Sequence, residues 1–246
     1  MRSAKNGNAR PIGRWNGRLA RGRSSFSRSF RLRAGSATRT RFLVRYDFET
    51  HTILFERNAD QPINPAALTK IMTAAVVFRE LKEGRLKLDQ DMVASTDAWR
   101  RGGAVTGGPN MLITPNKVVK VGDLITGLVV GSANDAAIAL AENISGSEAR
   151  FVAAMNAYAL ELGLSGLSFR NATGFAAEGQ KGTLRDLVKL SAHLIETYPE
   201  SYPLFAQRDM PYGRNRQVSR NPLLTMDIGA DGLMTGSTPE GTHHLI

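Results

Sequence analysis

The sequence predicts an α+β fold, with an antiparallel sheet assembled from strands near both ends of the chain and packed against a helical region. Runs of aromatic and β-branched residues occur at 42–48 and 52–56, and strand-like sequence returns after Gly229. From about Asp89 to Pro199, apolar residues recur instead with helical spacing. Strands at both ends of a helical block are typical of one sheet built from distant segments.

The excess positive charge is confined to the N-terminus. Residues 1–46 contain twelve Arg, one Lys and no acidic residue, whereas residues 47–246 contain 19 basic and 22 acidic residues, a net charge of −3. Residues 1–40 are rich in Arg, Ser and Gly and lack apolar periodicity, which predicts a disordered basic tail. Order is predicted to begin near Arg41, so residues 41–246 form one domain.

Three interpretations of the basic tail stay open. Clustered arginines attract phosphate, which suits binding to nucleic acid or to an anionic membrane. An Arg-rich, Ser-rich and acid-poor segment is also typical of a transit peptide, and a wrongly assigned start of the reading frame would give a similar sequence. Neither a secretory signal nor an apolar stretch long enough to span a membrane is visible in this chain.

The composition excludes several kinds of site. The chain has no cysteine, so disulfides, thiolate metal ligands and cysteine nucleophiles are excluded. It has four histidines, which are scattered except for His243 and His244. Neighbours on a strand point to opposite faces, so this pair predicts a strand and no metal site.

The first predicted elements are a β-hairpin and a helix. Residues 49–51 separate the two strand-like runs, and Asn64 and Pro65 are favoured at the N-cap and in the first turn of a helix. Apolar residues then recur at helical spacing: Leu68, Ile71, Met72, Ala75 and Val76. We expect this helix to bury one full face.

Three further helices are predicted in the middle of the chain. The first carries one apolar face: Ala136, Ala137, Leu140, Ala141 and Ile144. Ser147 is expected to cap the second, which ends near Gly163 because glycine readily takes the left-handed conformation of a helix C-terminus. Thr183 and Asp186 resemble a capping box at the start of the third, and Pro199 ends it.

Ala67 and Lys70 form the first of three short motifs that indicate a chemistry. A residue and its i+3 neighbour lie on one face of a helix, so these two side chains are adjacent. Desolvation disfavours the charged form of a buried lysine, and a neutral lysine accepts a proton from a neighbouring hydroxyl. The alternative is an ordinary amphipathic helix with one exposed lysine.

Ser132 and Asn134 form the second motif, an S-x-N sequence that follows the end of an apolar helical run at Gly131. Ser and Asn are also favoured N-cap residues, so a plain helix cap is an alternative that is compatible with a functional role. The third motif is the segment 231–236, Asp-Gly-Leu-Met-Thr-Gly. Taken alone, Met234 is typical of a core residue.

In their order and spacing these motifs resemble those of the low-molecular-mass penicillin-binding proteins, the serine D-Ala-D-Ala carboxypeptidases, which carry S-x-x-K, S-x-N and K-T-G sequences. The resemblance runs from about Phe42 to Ile246. Weaker landmarks agree with it in the same order: residues 171–174, 183–186 and 221–224. It implies a β-lactamase/transpeptidase-like fold. The sequence departs from the family at Ala67, where the family has its nucleophilic serine, and at Met234, where it has lysine.

The resemblance also implies a reaction. Intact relatives hydrolyse the terminal D-Ala of peptidoglycan stem peptides through an acyl-serine, with backbone N–H groups as the oxyanion hole, and are acylated by β-lactams. No cofactor or metal is implied. By the same resemblance, Lys70 is the base, and Ser132 and Asn134 are the proton relay and a substrate contact. Thr235 and Gly236, with Met234 at the lysine position, lie where the substrate carboxylate binds.

Because Ala67 has no oxygen, we expect hydrolysis to be impaired in this chain and β-lactams to bind non-covalently at best. A non-catalytic peptidoglycan-binding pseudoenzyme is the first alternative, and association with nucleic acid or an anionic membrane through the tail is the second. The resemblance places the protein in the periplasm or cell envelope. The sequence stops at Ile246 as a strand begins, so we expect the C-terminal part of the domain to be missing and a sheet edge to be unpaired.

Overall fold

The computed structural model describes residues 40–213 and 215–246, so the predicted tail lies outside the described residues. Six α-helices are described: α1 Thr69–Lys82, α2 Thr96–Gly102, α3 Val121–Val129, α4 Asn134–Ser145, α5 Glu148–Glu161 and α6 Leu184–Thr197. Eight strands are described: β1 Leu43–Asp47, β2 Thr52–Arg57, β3 Asp91–Val93, β4 Val118–Lys120, β5 Asp209–Tyr212, β6 Asn215–Val218, β7 Thr235–Ser237 and β8 His243–Leu245. The predicted α+β class is confirmed.

The strands are joined differently from the single sheet that the sequence predicted. Each pairs only with its neighbour along the chain, which gives four antiparallel two-stranded ladders within the described residues: β1–β2, β3–β4, β5–β6 and β7–β8. The N-terminal and C-terminal hairpins do not share a ladder, and β7 packs against the 3-10 turn Ala66–Leu68. The four strands β3 to β6 are short and were missed by the sequence analysis.

The hairpin of β1 and β2 forms as predicted and is tied to α6 by charge. Arg185, near the start of α6, donates to both carboxylate oxygens of Asp60 at 2.6 and 2.8 Å and forms an ion pair with Glu56 at 2.9 Å. Two predicted helix caps also form. Thr183 Oγ1 accepts a hydrogen bond from the Asp186 backbone N–H and caps α6. Ser147 caps α5 in the same way, and α5 ends before Gly163, which has a positive φ.

Helix α1 is the centre of the core and buries more than the one face that the sequence predicted. All residues from Thr69 to Phe78 are buried, because α3, α4, α5 and α6 surround the helix. The helix therefore carries polar side chains into the interior, where they meet backbone carbonyls of a distant loop. Within the described residues, no helix has both the length and the apolar character needed to cross a membrane.

Candidate active site

The N-terminal end of α1 carries the first motif. Asn64 Oδ1 accepts a hydrogen bond from the Ala66 backbone N–H at 3.0 Å, so the chain turns here through a 3-10 segment before α1 begins at Thr69. Lys70 lies one turn after Ala67. Its Nζ donates to the Thr173 carbonyl oxygen at 2.6 Å. The alternative of an exposed lysine on an amphipathic helix is therefore wrong.

Burial sets the charge of Lys70. Its side chain is 1% exposed, and desolvation lowers the pKa of its ammonium group to about 7, although the charge of Asp135 works in the opposite direction. A lysine in this environment exchanges a proton near neutral pH, as a general base must. The i+3 spacing in the sequence predicted that the side chains of Ala67 and Lys70 would be adjacent. Only tertiary packing buries Lys70 away from water.

A loop from Asn171 to Gly174 covers this end of α1. Thr73 Oγ1 donates to the Ala172 carbonyl at 2.8 Å, one turn after the Lys70 contact, so two polar side chains of α1 hold the loop. Gly174 is required here, since a Cβ atom would lie 1.9 Å from the Ala66 carbonyl oxygen. The loop was recognised in the sequence as a weak landmark, and the structure brings it beside the first motif.

Ser132 lies just before the N-terminus of α4 and has a strained backbone conformation. Its φ is 51°, which is uncommon for a residue other than glycine. Its Oγ is buried without a hydrogen-bond partner among the described residues. The N-cap of α4 is Ala133, with no side-chain cap, so the helix-cap interpretation of the second motif is wrong. A strained residue with an unpaired hydroxyl is the kind of feature that clusters at functional sites.

Asp135 holds the wall beside Ser132 and Asn134. Its carboxylate accepts hydrogen bonds from the backbone N–H groups of Met111 and Ile113, and the Asn134 N–H donates to the Pro109 carbonyl at 2.8 Å. Burial raises the pKa of Asp135, and these N–H donors oppose the rise. The segment 109–113 is therefore fixed against the start of α4, and Asp135 positions the wall of the site.

Strand β7 brings the third motif to the same place. Thr235 is half-buried and its Oγ1 donates to the Arg220 carbonyl at 3.1 Å. A Cβ atom on Gly236 would lie 3.1 Å from the Ala67 backbone nitrogen, so the missing side chain allows β7 to approach the first motif. Asn221 supports the approach to β7, because its Nδ2 donates to the Gly232 carbonyl at 3.0 Å.

Met234 does not line this site. Its side chain is 2% exposed and packs in the apolar core, while its backbone exchanges two hydrogen bonds with Ile246. The thioether is apolar, so burial there leaves no polar group unsatisfied. The interpretation of Met234 as a core residue therefore agrees with the structure. That a lysine at this position would contact a ligand in the site stays a prediction.

The structure brings the other predicted residues together around one cavity of about 560 Å³. Its lining includes Ala67, Lys70, Ser132, Asn134, Thr235 and Gly236. It also includes residues that the sequence analysis did not assign to the site, among them Phe175, Arg220, His243 and His244. No Asp or Glu side chain is among the described lining residues. The Arg220 guanidinium in the lining therefore favours an anionic ligand, whereas burial lowers the pKa of His244 and disfavours its charged form.

Comparison with known proteins agrees with this geometry. The profile of the peptidase S11 family, described as D-alanyl-D-alanine carboxypeptidase, matches residues 33–246. The D-alanyl-D-alanine carboxypeptidase DacC of Escherichia coli is 38% identical over 202 residues, which cover 81% of this chain and 50% of that protein. DacF of Bacillus subtilis is 33% identical over 203 residues, covering 80% of this chain and 50% of that protein. The chain thus spans about half the length of these curated relatives.

Solved structures show the same relationship. Penicillin binding protein 5 from Haemophilus influenzae has a TM-score of 0.79 at 35% identity, covering 83% of this chain and 59% of that chain. Penicillin-binding protein D2 from Listeria monocytogenes, in its ampicillin-bound form, has a TM-score of 0.69 at 30% identity, covering 83% of this chain and 82% of that chain. The chain therefore belongs to the peptidase S11 family of D-alanyl-D-alanine carboxypeptidases, the low-molecular-mass penicillin-binding proteins.

Proposed function

We propose that this chain carries a serine-type D-Ala-D-Ala carboxypeptidase domain whose ligand pocket is retained and whose hydrolysis of the terminal D-Ala is impaired. The observation that carries the proposal is the position of Ala67. Its backbone lies in the 3-10 turn that leads into α1, one turn before Lys70. Ala67 lines a cavity that also includes Ser132 and Thr235, yet its side chain is a methyl group. The assigned groups other than Met234 surround a nucleophile position that has no oxygen.

The chemistry of acyl transfer explains why this one atom matters. A neutral Lys70 amine, available near pH 7, would accept the proton of a hydroxyl at residue 67 as that oxygen attacked the substrate carbonyl. The Ala67 backbone N–H lies close to Gly236 of β7, and we assign it the role of an oxyanion-hole donor. Removing the serine of another serine hydrolase lowered turnover about a millionfold, and we expect a loss of that order here.

The remaining groups suit recognition of a D-Ala-D-Ala terminus. Ser132 and Asn134 belong to the cavity lining and carry a hydroxyl and an amide suited to a peptide. Thr235 would turn its hydroxyl from the Arg220 carbonyl to the terminal carboxylate of that peptide. The exposed Arg220 guanidinium is a cation in the same lining. Met234 supplies no charge, so we expect the carboxylate to bind less tightly than it would beside a lysine.

One observation favours a second function, the binding of peptidoglycan without turnover. The buried Ser132 Oγ has no partner among the described residues, and an unpaired buried hydroxyl costs about 1–3 kcal/mol unless a ligand supplies its hydrogen bond. A domain that only recognised stem peptides or β-lactams would use this pocket unchanged. Both functions require a peptidoglycan partner, so we propose that the domain acts in the cell envelope.

Titration calorimetry with a peptide ending in D-Ala-D-Ala tests the pocket, and intact mass after incubation with benzylpenicillin tests the covalent step. We expect measurable peptide binding and no covalent adduct. The same peptide ending in L-Ala-L-Ala is the matched ligand, and Ser132→Ala is the matched variant. Equal binding of both peptides would contradict the recognition proposal, and a mass increase of one penicillin would contradict the loss of acylation.

A further inference from the structure

Lys70 has an amine that the retained site does not use. In a serine carboxypeptidase the lysine exchanges a proton with the nucleophile, but Ala67 has no proton to give. The described hydrogen bond of Lys70 Nζ is to the Thr173 carbonyl at 2.6 Å. This contact uses a single N–H donor, so it leaves the amine lone pair free whenever the group is neutral.

The position of this amine resembles that of a covalent-catalysis lysine. Lys70 is almost entirely buried and belongs to the lining of the 560 Å³ cavity, so its amine borders a space large enough for a small molecule and is shielded from bulk water. The adjacent Ala67 methyl group leaves room where a serine hydroxyl would compete for the same amine. Desolvated lysines of this kind form imines with carbonyl compounds.

The charge of the cavity selects the carbonyl compound. Arg220, His243 and His244 belong to the lining, which has no acidic side chain among its described members. The Arg220 guanidinium therefore attracts a ligand that carries a carboxylate, and Thr235 would turn its hydroxyl from the Arg220 carbonyl to that carboxylate. The apolar ring of Phe175 and the Pro109 ring complete a space that suits a short carbon chain.

We propose that Lys70 Nζ is an imine-forming site for small aldehydes and 2-oxo acids that bear a carboxylate. The lone pair of the neutral amine attacks the carbonyl carbon, and the C=O π electrons move to oxygen. A proton passes from nitrogen to that oxygen, which gives a carbinolamine. Loss of the hydroxyl group with one further proton, as water, leaves a C=N bond to Lys70. The reaction needs no oxidant, reductant or metal.

The ionisation of Lys70 supports this assignment. With its pKa lowered to about 7 by burial, about half of the amine is neutral at that pH. A lysine with the ordinary pKa of about 10.4 is neutral in roughly one molecule in a few thousand at pH 7. We therefore expect Lys70 to be modified ahead of lysines that are exposed to water, and the exposed Lys87 serves as the comparison.

The test uses glyoxylate with sodium cyanoborohydride, whose hydride reduces the imine to a stable secondary amine. The full chain is treated at pH 7, and the modified lysines are located by peptide mapping. We expect the rate of modification at Lys70 to exceed that at Lys87 by about ten-fold or more. Propionaldehyde, a neutral aldehyde, is expected to modify Lys70 more slowly than glyoxylate, and Lys87→Arg is expected to leave the labelling of Lys70 unchanged.

Two results would overturn the proposal. One is equal or slower modification of Lys70 compared with Lys87 in the unmodified chain, a comparison that needs no variant to fold. The other is undiminished labelling of the intact protein in a folded Lys70→Arg variant. Peptide binding measured by calorimetry is read separately, so failure of imine formation would leave the proposed recognition of D-Ala-D-Ala termini standing, and the reverse also holds.

Discussion

Helix α1 contacts a buried polar cluster at each of its ends, and the two clusters differ in how fully their hydrogen bonds are satisfied. At the C-terminal end, the Tyr158 hydroxyl shares hydrogen bonds with His193 Nε2 at 2.7 Å and with the Tyr198 hydroxyl at 2.6 Å. Arg79 of α1 lies 4.0 Å from the centre of the Tyr158 ring and forms an ion pair with Glu161 at 3.0 Å. Of the polar side-chain atoms in this cluster, Arg79 Nε lacks a described partner.

The N-terminal end has the opposite character. The hydroxyls of Thr69 and Ser132 are buried without a described partner, and Lys70 is desolvated with a single described hydrogen bond. Ala66 and Ser132 both have a positive φ, of 48° and 51°. These features cost stability, since strained non-glycine residues and orphaned hydroxyls are each unfavourable by about 1–3 kcal/mol.

The contrast teaches how to separate a structural cluster from a functional one on a single helix. Where polar groups serve stability, their hydrogen bonds are made within the protein. Where polar groups serve a ligand, some of their hydrogen bonds stay unmade within the protein, and a strained backbone holds the groups in place. These features of a functional cluster are present although residue 67 is alanine, because the strained backbone and the unpaired hydroxyls belong to other residues around it.

The largest expected effect is the return of acylation at the open end. Ala67→Ser supplies the missing oxygen beside Lys70, so we expect a covalent benzylpenicillin adduct where the unmodified chain forms none. The gain in acylation rate should be large, up to the order of a millionfold. Intact mass against time measures it, and Ala67→Gly is the control. Should the serine variant stay unlabelled while folded, the pocket would lack more than its nucleophile.

Met234→Lys sharpens this result when it is combined with Ala67→Ser. A cation for the substrate carboxylate acts on the same ligand as the serine, so we expect Met234→Lys to raise acylation in the serine background and to produce none in the alanine background. Equal acylation of the single and double variants would show that position 234 remains in the core with lysine as it does with methionine.

The next effect concerns the pH dependence of stability. In the folded protein burial lowers the pKa of Lys70 to about 7, whereas its unfolded value is near 10.4, so between these values the unfolded chain binds the extra proton. The contribution of Lys70 to stability therefore rises with pH across this window. We expect Lys70→Met to stabilise most at pH 7 or below, with the gain shrinking toward pH 10.

Urea unfolding at a series of pH values measures this difference. Lys82→Met, at the exposed end of α1, controls for the loss of any lysine from the helix. A gain from Lys70→Met that grew with pH would contradict burial of the amine as the cause of its lowered pKa.

A pair of conservative substitutions compares the two clusters directly. Tyr158→Phe removes a hydroxyl that makes two hydrogen bonds, so we expect it to destabilise by about 1–3 kcal/mol and to leave peptide binding unchanged. Ser132→Ala removes an unpaired hydroxyl, so we expect little loss of stability and a clear loss of peptide affinity. Thermal unfolding and calorimetry give both readouts. The reversed pattern would mean that the two ends of α1 have been assigned the wrong roles.

The smallest expected effect is that of deleting residues 1–32, which precede the family match. The deletion removes eight Arg and one Lys and lowers the formal net charge from +10 to +1. We expect the melting temperature and peptide binding to stay unchanged, because this segment lacks apolar periodicity. Binding to heparin should weaken strongly and become less sensitive to salt. A lower melting temperature would instead assign the segment a structural role.

The sequence by itself determined the local elements of this protein and the order of its motifs. The hairpin at residues 43–57 and the caps at Ser147 and Thr183 follow from strand propensity and from hydrogen bonds between residues close together in the chain. Such local features can be predicted from the sequence alone. The i+3 spacing likewise placed Ala67 and Lys70 on one helix face. The family followed from the spacing of short motifs over about 170 residues.

Only the tertiary structure decided what those motifs became. The pKa of Lys70 depends on the burial of α1 among four other helices and on the charge of Asp135, and no local pattern encodes either of them. The same packing brought Arg220 and the two histidines of β8 to the cavity and buried Met234 away from it. Desolvation, strain and the lining of a cavity depend on contacts between residues far apart in the chain, so they exist only once the chain has folded.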